Sequence, residues 1–188
     1  MYSGDSQRQG IPQKVPLRCR NLDIVSRNVW KARPEKPTIV NLRIPIPHVF
    51  IHHTETGACS NLDSCSNIIR DIQQKHQQRS HDIGFHFLIA HDNKIYEGRH
   101  WHYRGFIVDD FNSKSISIAY IGNYTNFLPT RRMIDLTEQL LQCLTSQNFL
   151  APFYELHGHR DANPTFCPGD ALYNEIQSWN AYKPGPLL

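Results

Sequence analysis

The sequence predicts an α/β fold in which a central mixed β-sheet is flanked by helices. Two observations support this class. Short apolar segments of strand length alternate along the chain with longer segments whose apolar residues recur at helical spacing. Their order is strand, helix, hairpin, strand, helix, strand, helix, which is typical of a sheet covered by helices.

The predicted strands are short apolar runs, at residues 48–53, 85–90, 94–98, 115–122 and 154–159. His-Asp-Asn separates the second run from the third, and this pair is predicted to form a β-hairpin. Helices are predicted at residues 61–79, after Pro129-Thr130, and at 170–179. The middle helix has the strongest periodicity, carried by Met133, Ile134, Leu136, Leu140, Leu141 and Leu144.

Length and composition indicate one globular domain. The chain has 188 residues, of which 39% are hydrophobic, and this is enough to bury a full core. We predict a tail at residues 1–18, a domain at 19–182 and a second tail at 183–188. The net charge of +3 is scattered, without the basic stripe of a nucleic-acid-binding protein.

No apolar run approaches the ~20 residues of a membrane span, and no signal-peptide hydrophobic region follows Met1. We therefore expect either an excised ectodomain or export information that lies outside this segment.

Five cysteines is an odd number, so at least one is unpaired or ligates a metal. Cys59 and Cys65 are close enough in sequence for a local bridge. Pairing Cys19 with Cys143 would fasten the N-terminal segment to the core, and Cys167 would be left over. Five reduced thiols in a cytosolic protein is the alternative, although the glycosylation sequon at Asn123 favours the secretory route.

His52, His159 and Cys167 are candidate metal ligands. Each histidine ends a predicted strand, and the cysteine follows a loop before Pro168-Gly169. Two imidazoles and a thiolate, with water in the fourth position, form the open tetrahedral site of a catalytic zinc. The spacing alone is weak evidence, because a histidine eight residues before a cysteine occurs by chance in many chains.

An ordered set of motifs over residues 19–182 resembles the animal peptidoglycan-recognition proteins, relatives of zinc-dependent N-acetylmuramoyl-L-alanine amidases. The motifs are IHHT (51–54), DIGFHFLI (82–89), KIYEGRHW (94–101), SISIAYIGNY (115–124), HGHRD (157–161) and CPGDALYNEIQSW (167–179). The resemblance implies the Cys59–Cys65 and Cys19–Cys143 bridges. It also implies that His52, His159 and Cys167 hold Zn²⁺ and that Thr165 assists catalysis.

One catalytic position departs from the family. Phe85 stands where the amidases carry a tyrosine whose hydroxyl positions water or stabilises the oxyanion. Loss of one oriented donor typically costs ~100- to 1000-fold in rate. The resemblance therefore implies a zinc site that hydrolyses weakly or not at all.

The implied ligand groove is partly altered. Ile107, between Phe106 and Val108, replaces a family histidine that touches the ligand. Arg104 is either a partner for a stem-peptide carboxylate or a solvated surface arginine. In the family, the residues that distinguish diaminopimelate-type from lysine-type stem peptides align near His102 and Tyr103. The remaining matched ligand-contacting positions are His53, Thr54, His76, Trp101 and Asn112.

Three functions follow from the resemblance. The favoured one is an extracellular innate-immunity protein, secreted or an ectodomain, that binds bacterial peptidoglycan or muropeptides with weak or no hydrolysis. An active zinc amidase and a non-binding regulatory homologue are the alternatives. A ligand-induced dimer is possible in this family, and no nucleic acid is expected as a partner.

Overall fold

The structure, a computed structural model, describes Cys19, residues 22–37 and residues 40–187. The predicted tail at 1–18 lies outside the described residues. Six strands in one sheet are described: β1 (Ile24–Val25), β2 (Ile46–His53), β3 (Phe87–Ile89), β4 (Ile95–Glu97), β5 (Ser115–Tyr120) and β6 (Leu150–Gly158). The α-helices of the described residues are α1 (Leu62–His76), α2 (Arg131–Ser146) and α3 (Asp170–Ile176).

The strand order is β1-β4-β3-β5-β2-β6. Only the β3–β4 hairpin is antiparallel among the described pairs, so the sheet is mixed and the predicted α/β class is confirmed. Strand β2 lies between β5 and β6 and is parallel to both. Its residues from Val49 to His53 are buried on both faces of the sheet, which explains the apolar run in this strand.

The two faces of β2 have different neighbours, because successive side chains of a strand point to opposite sides. Val49 and Ile51 join the larger core cluster, which also contains the apolar face of α2. Phe50 faces the other way and packs against Val108 and Phe111. His48 and His52, two residues on either side of Phe50, share its face.

Both long helices begin at residues whose side chains cap them. The Asn61 side-chain oxygen accepts from the Ser64 N–H at 2.9 Å before α1, and Thr130 Oγ1 accepts from the Met133 N–H at 3.3 Å before α2. Each cap satisfies a backbone donor that the helix itself leaves unpaired. The Pro129-Thr130 start predicted for α2 is confirmed.

Both predicted disulfides are present. Cys59–Cys65 ties the segment before α1 to the first turn of that helix. Cys19–Cys143 joins residues 124 positions apart and fastens the N-terminal segment to α2. Cys167 is the free cysteine, as the odd count requires.

The N-terminal segment adds a strand that the sequence did not predict. Ile24 and Val25 pair in parallel with Ile95 and Tyr96, which places β1 at the sheet edge. Trp30 then buries its ring completely and donates its indole N–H to the Glu97 carbonyl at 2.8 Å. A two-residue strand is too short to produce a recognisable alternating pattern.

The largest corrections to the predicted boundaries are at strand β6 and at the C-terminal tail. Strand β6 begins at Leu150, four residues before the predicted start. Of the predicted tail at 183–188, residues 183–187 pack against the domain. The Lys183 N–H donates to the Leu156 carbonyl at 2.9 Å, and the Gly185 N–H donates to Asp161 Oδ1 at 3.2 Å. Leu187 covers the cluster around Phe50.

No helix in the described part of the chain has the length and apolar character needed to cross a membrane.

Candidate metal centre and binding groove

The candidate metal ligands meet at the carboxyl ends of β2 and β6. His52 is the penultimate residue of β2, and His159 follows directly after β6. Because these strands are parallel neighbours in which Ile51 lies opposite Gly158, the two histidines emerge side by side. Their ring centroids are 4.8 Å apart.

Cys167 completes this group from the loop before α3. Its Sγ lies 3.8 Å from His52 Nδ1. One potential ligand atom from each of His52, His159 and Cys167 lies within 4.8 Å of the other two. This grouping of donors can hold a metal ion.

The loop from His159 to Cys167 is held at both ends. The Arg160 N–H donates to the Cys167 carbonyl at 3.0 Å, and its guanidinium reaches Asp170 Oδ1 at 2.7 Å. Thr165 Oγ1 accepts from the Cys167 N–H at 3.2 Å. Buried Asp161 accepts from the Gly158 N–H at 2.7 Å and from the Tyr173 hydroxyl at 2.6 Å. The position of Cys167 is therefore set by a network of polar contacts.

Burial governs the protonation of all three candidate ligands. It lowers the pKa of fully buried His52 well below its ordinary value and also lowers the pKa of His159. Both imidazoles are therefore neutral near pH 7, as metal ligation requires. Burial raises the pKa of the Cys167 thiol to about 12, and a cation at this point would favour the thiolate instead. This donor chemistry fits a zinc ion with one open position.

Phe85 lies beside the candidate metal ligands. Its ring centroid is 5.3 Å from that of His52 and 5.5 Å from that of His76, and only 7% of its surface is exposed. A phenyl ring at this position offers no hydrogen-bond donor. The position at which the sequence departs from the family motif therefore lies against a candidate metal ligand.

Three of the predicted ligand-binding residues line one cavity of about 330 Å³, formed by Tyr103, Arg104 and Asn112 together with neighbouring residues. Arg104 is exposed, so its guanidinium is accessible from solvent. Asn112 is buried, and its Oδ1 accepts from the Val108 N–H at 3.1 Å. The cavity thus combines the cationic side chains of Arg79, Arg99 and Arg104 with the carboxylates of Glu35, Asp82 and Asp109.

His76 and Ile107 lie close to the metal ligands. The Gly84 N–H donates to His76 Nδ1 at 2.9 Å, and burial lowers the pKa of His76 to about 4. A Cβ atom on residue 84 would come within 2.3 Å of Ile107 Cδ1. The bulky Ile107 side chain is therefore accommodated by the absence of a side chain at Gly84.

The other predicted ligand-binding residues have internal partners. Trp101 is buried in the larger core and meets Phe149 edge to face, with ring centroids 4.6 Å apart. His53 Nδ1 accepts from the Tyr124 N–H at 3.2 Å, and Thr54 Oγ1 accepts from the Gly122 N–H at 3.0 Å. For these three residues a ligand contact stays a prediction.

Sequence reasoning missed two residues that shape the cavity. Arg99 is buried and donates to the carbonyls of Ile83 and Arg104, at 2.8 and 2.6 Å. His86 is also buried: its Nδ1 accepts from the Ser117 N–H at 2.9 Å, so its Nε2–H donates to the Tyr103 carbonyl at 2.9 Å. Neither residue stands out in the sequence, because only tertiary contacts reveal its role.

The fold and the ligand set define an amidase-type domain. The sequence profile of the N-acetylmuramoyl-L-alanine amidase family matches residues 42–170. Peptidoglycan-recognition protein SD of Drosophila simulans is 39% identical over 158 residues, which cover 83% of this chain and 85% of that protein. The chain belongs to the peptidoglycan-recognition protein family.

Solved structures of this family have the same fold. A human peptidoglycan-recognition protein in complex with a glycosamyl muramyl pentapeptide superposes with a TM-score of 0.81 and 34% identity, covering 85% of this chain and 98% of that one. The ectodomain complex of peptidoglycan-recognition proteins LCa and LCx, bound to tracheal cytotoxin, gives a TM-score of 0.84 and 32% identity. That match covers 86% of this chain and 99% of the other.

Proposed function

We propose that the protein recognises bacterial peptidoglycan in innate immunity and hydrolyses it weakly or not at all. One observation carries this proposal: a complete metal-ligand set stands beside Phe85, which supplies no donor to a developing oxyanion. Recognition is supported by family membership and by the relatives whose structures hold a muramyl pentapeptide or tracheal cytotoxin.

His52, His159 and Cys167 would hold Zn²⁺, the ion whose ligand preference they match. When bound, zinc polarises a carbonyl and lowers the pKa of a coordinated water to about 7. The chain's own residues set the conditions for this chemistry. Burial keeps the two imidazoles neutral, while Thr165 and Arg160 fix the backbone of Cys167.

Ligand binding is proposed in the cavity lined by Tyr103, Arg104 and Asn112. Arg104 would pair with a carboxylate of the stem peptide through a charge-assisted hydrogen bond. Next to the metal ligands, His53, Thr54 and His76 would contact the muramyl end of the ligand. Trp101 would act through packing that supports the adjoining loop, because its ring is buried.

A pull-down on insoluble peptidoglycan of the diaminopimelate type and of the lysine type tests binding. An amidase assay, run with added zinc and again with a chelator, tests hydrolysis. We expect wild type to sediment with at least one stem type while releasing little product. Arg104→Ala should weaken binding, and Arg132→Ala, an exposed arginine on α2, should not. Failure to sediment with either stem type would overturn the proposal.

An active zinc amidase is the second candidate, favoured by the intact set of His52, His159 and Cys167. The same assay separates it from the first. Zinc-dependent turnover at the rate of an ordinary amidase would establish it and remove the role assigned to Phe85.

Secretion, as a free protein or as an ectodomain, is proposed from the two disulfides, which form in oxidising compartments. Asn123 is exposed, so its sequon is accessible for glycosylation. A ligand-induced dimer is proposed by analogy with the LCa–LCx ectodomain complex. Sedimentation velocity with and without a soluble muropeptide tests this last point.

A further inference from the structure

A second group of metal-binding side chains lies on β2 and β6, away from the amidase-type centre. His48 and Glu155 lie opposite each other in the parallel register, and His157 lies opposite Phe50. His48 Nδ1 is 3.2 Å from His157 Nε2 and 3.6 Å from Glu155 Oε2. The third distance, from His157 Nε2 to Glu155 Oε2, is 3.9 Å.

This group is separate from the first one. His48 precedes His52 by four residues, a distance of about 13 Å along an extended strand. The Phe50 ring fills the space between them on the same face and packs against His157 at a centroid distance of 5.1 Å. The two groups therefore have no residue in common.

The orientation of His157 prepares it for ligation. It is completely buried, and its Nδ1 lies 3.0 Å from the Lys183 carbonyl, to which it can only donate. The proton of the neutral ring is thus on Nδ1, and the lone pair of Nε2 faces His48. Metal-binding histidines commonly have this arrangement, in which the second ring nitrogen donates to a carbonyl.

The three donor atoms also fit the size of a transition-metal ion. Their separations define a triangle whose centre is about 2.1 Å from each corner, which matches zinc bond lengths to nitrogen and oxygen. An ion there would replace the direct contact between the two imidazoles. Two imidazoles and a carboxylate are a donor set that zinc uses in other proteins.

We propose that His48, Glu155 and His157 form a second Zn²⁺ site, which bridges strand β2 and strand β6. The ion has access from solvent, because the side chains of His48 and Glu155 are 18% and 42% exposed. This site does not depend on the proposed peptidoglycan binding or on the first zinc site.

One charge opposes the ion. The Lys114 ammonium lies 4.2 Å from the centre of the Phe111 ring, which also meets the ring of His48 at a centroid distance of 5.0 Å. Its positive charge weakens cation binding, and the Glu155 carboxylate offsets it. Lys114→Met should therefore tighten the second site while the ligands remain unchanged.

Zinc titration of the chelator-stripped full chain tests the proposal, with calorimetry to count sites. Wild type should bind two ions, and Cys167→Ala should bind one. In the Cys167→Ala background, His48→Gln and Glu155→Gln should each weaken the remaining site by at least about 100-fold. His81→Gln and Glu138→Gln, changes at exposed positions elsewhere, are the matched controls and should have no effect.

Cobalt spectroscopy assigns the sites without an activity assay. Co²⁺ in the first site should show a thiolate charge-transfer band, whereas Co²⁺ in Cys167→Ala should retain only the weak bands of a nitrogen and oxygen site. Absence of bound zinc in Cys167→Ala, or a zinc in that background that survives both His48→Gln and Glu155→Gln, would overturn the proposal. Loss of peptidoglycan binding alone would bear only on the proposed function.

Discussion

The ring of Phe85 lies against the ring of His52, with centroids 5.3 Å apart. Phe85→Tyr would add a hydroxyl to a ring that contacts a candidate metal ligand. In the proposed function, the metal ligands remain, but the donor that would stabilise the charge developing during amide hydrolysis is missing.

We expect Phe85→Tyr to raise the amidase rate by about 100-fold or more, because it restores one donor near the developing oxyanion. The rate of muropeptide hydrolysis with saturating zinc measures this gain. Phe153→Tyr, which changes a ring that is 94% exposed, is the control and should leave the rate unchanged. Equal rates for wild type and Phe85→Tyr would remove the explanation for weak hydrolysis.

Removal of the thiolate should abolish the first metal site. Cys167→Ala is expected to lose the zinc ion held with His52 and His159, since two imidazoles alone bind it far more weakly. Elemental analysis of purified protein gives the metal content, and the matched control is Cys59→Ala/Cys65→Ala, which removes a bridge without touching the ligands. An unchanged zinc content in a Cys167→Ala, His48→Gln double variant would contradict the ligand assignment.

The α/β class was predictable because the apolar periodicity of a helix or a strand is visible within a single segment of sequence. The two long helices and the hairpin have strong local signals, such as the cap at Thr130. Strand β1 was not predictable, since two residues are too few to show a periodic pattern. Its pairing with β4 depends on tertiary structure. The packing of residues 183–187 was missed for the same reason: it depends on acceptors on Leu156 and Asp161.

The candidate metal ligands were predicted from motifs, because the spacing of His159 and Cys167 is not specific by itself. These residues come together because β2 and β6 pair in parallel, and no local sequence pattern predicts that pairing. The same pairing brings His48 to His157.

Buried His86 should make the fold sensitive to acid. Its Nδ1 accepts from the Ser117 N–H, so a second ring proton has no acceptor there, and burial lowers its pKa to about 3. The unfolded chain has the ordinary value of about 6.5 and takes up the proton first. The free energy of unfolding is therefore highest above about pH 6.5 and falls as the pH drops towards 3.

At pH 5 this histidine alone should lower the free energy of unfolding by about 2 kcal/mol relative to neutral pH. Urea unfolding at both pH values provides the measurement. His86→Gln should be less stable at neutral pH and show a smaller loss on acidification, while His81→Gln, an exposed position, should behave as wild type. A pH dependence that is unchanged in His86→Gln would exclude this origin.

Gly169 should tolerate no side chain. Its backbone, with φ 91° and ψ 150°, lies in a region that only glycine adopts readily. A Cβ atom there would also come within 2.4 Å of the Tyr124 carbonyl carbon, which is backbone and cannot rotate away. We expect Gly169→Ala to destabilise the fold by about 3 kcal/mol and to displace Cys167 two residues away.

Thermal unfolding and zinc content together test the role of Gly169, because the strain falls on the segment that carries a metal ligand. Gly57→Ala is the matched control: no heavy atom lies within 4 Å of the added Cβ, and its φ is not positive. That change should leave both quantities near wild type. If Gly169→Ala kept full stability and full zinc content at the first site, the close approach of Gly169 to the Tyr124 backbone would not be required to position Cys167.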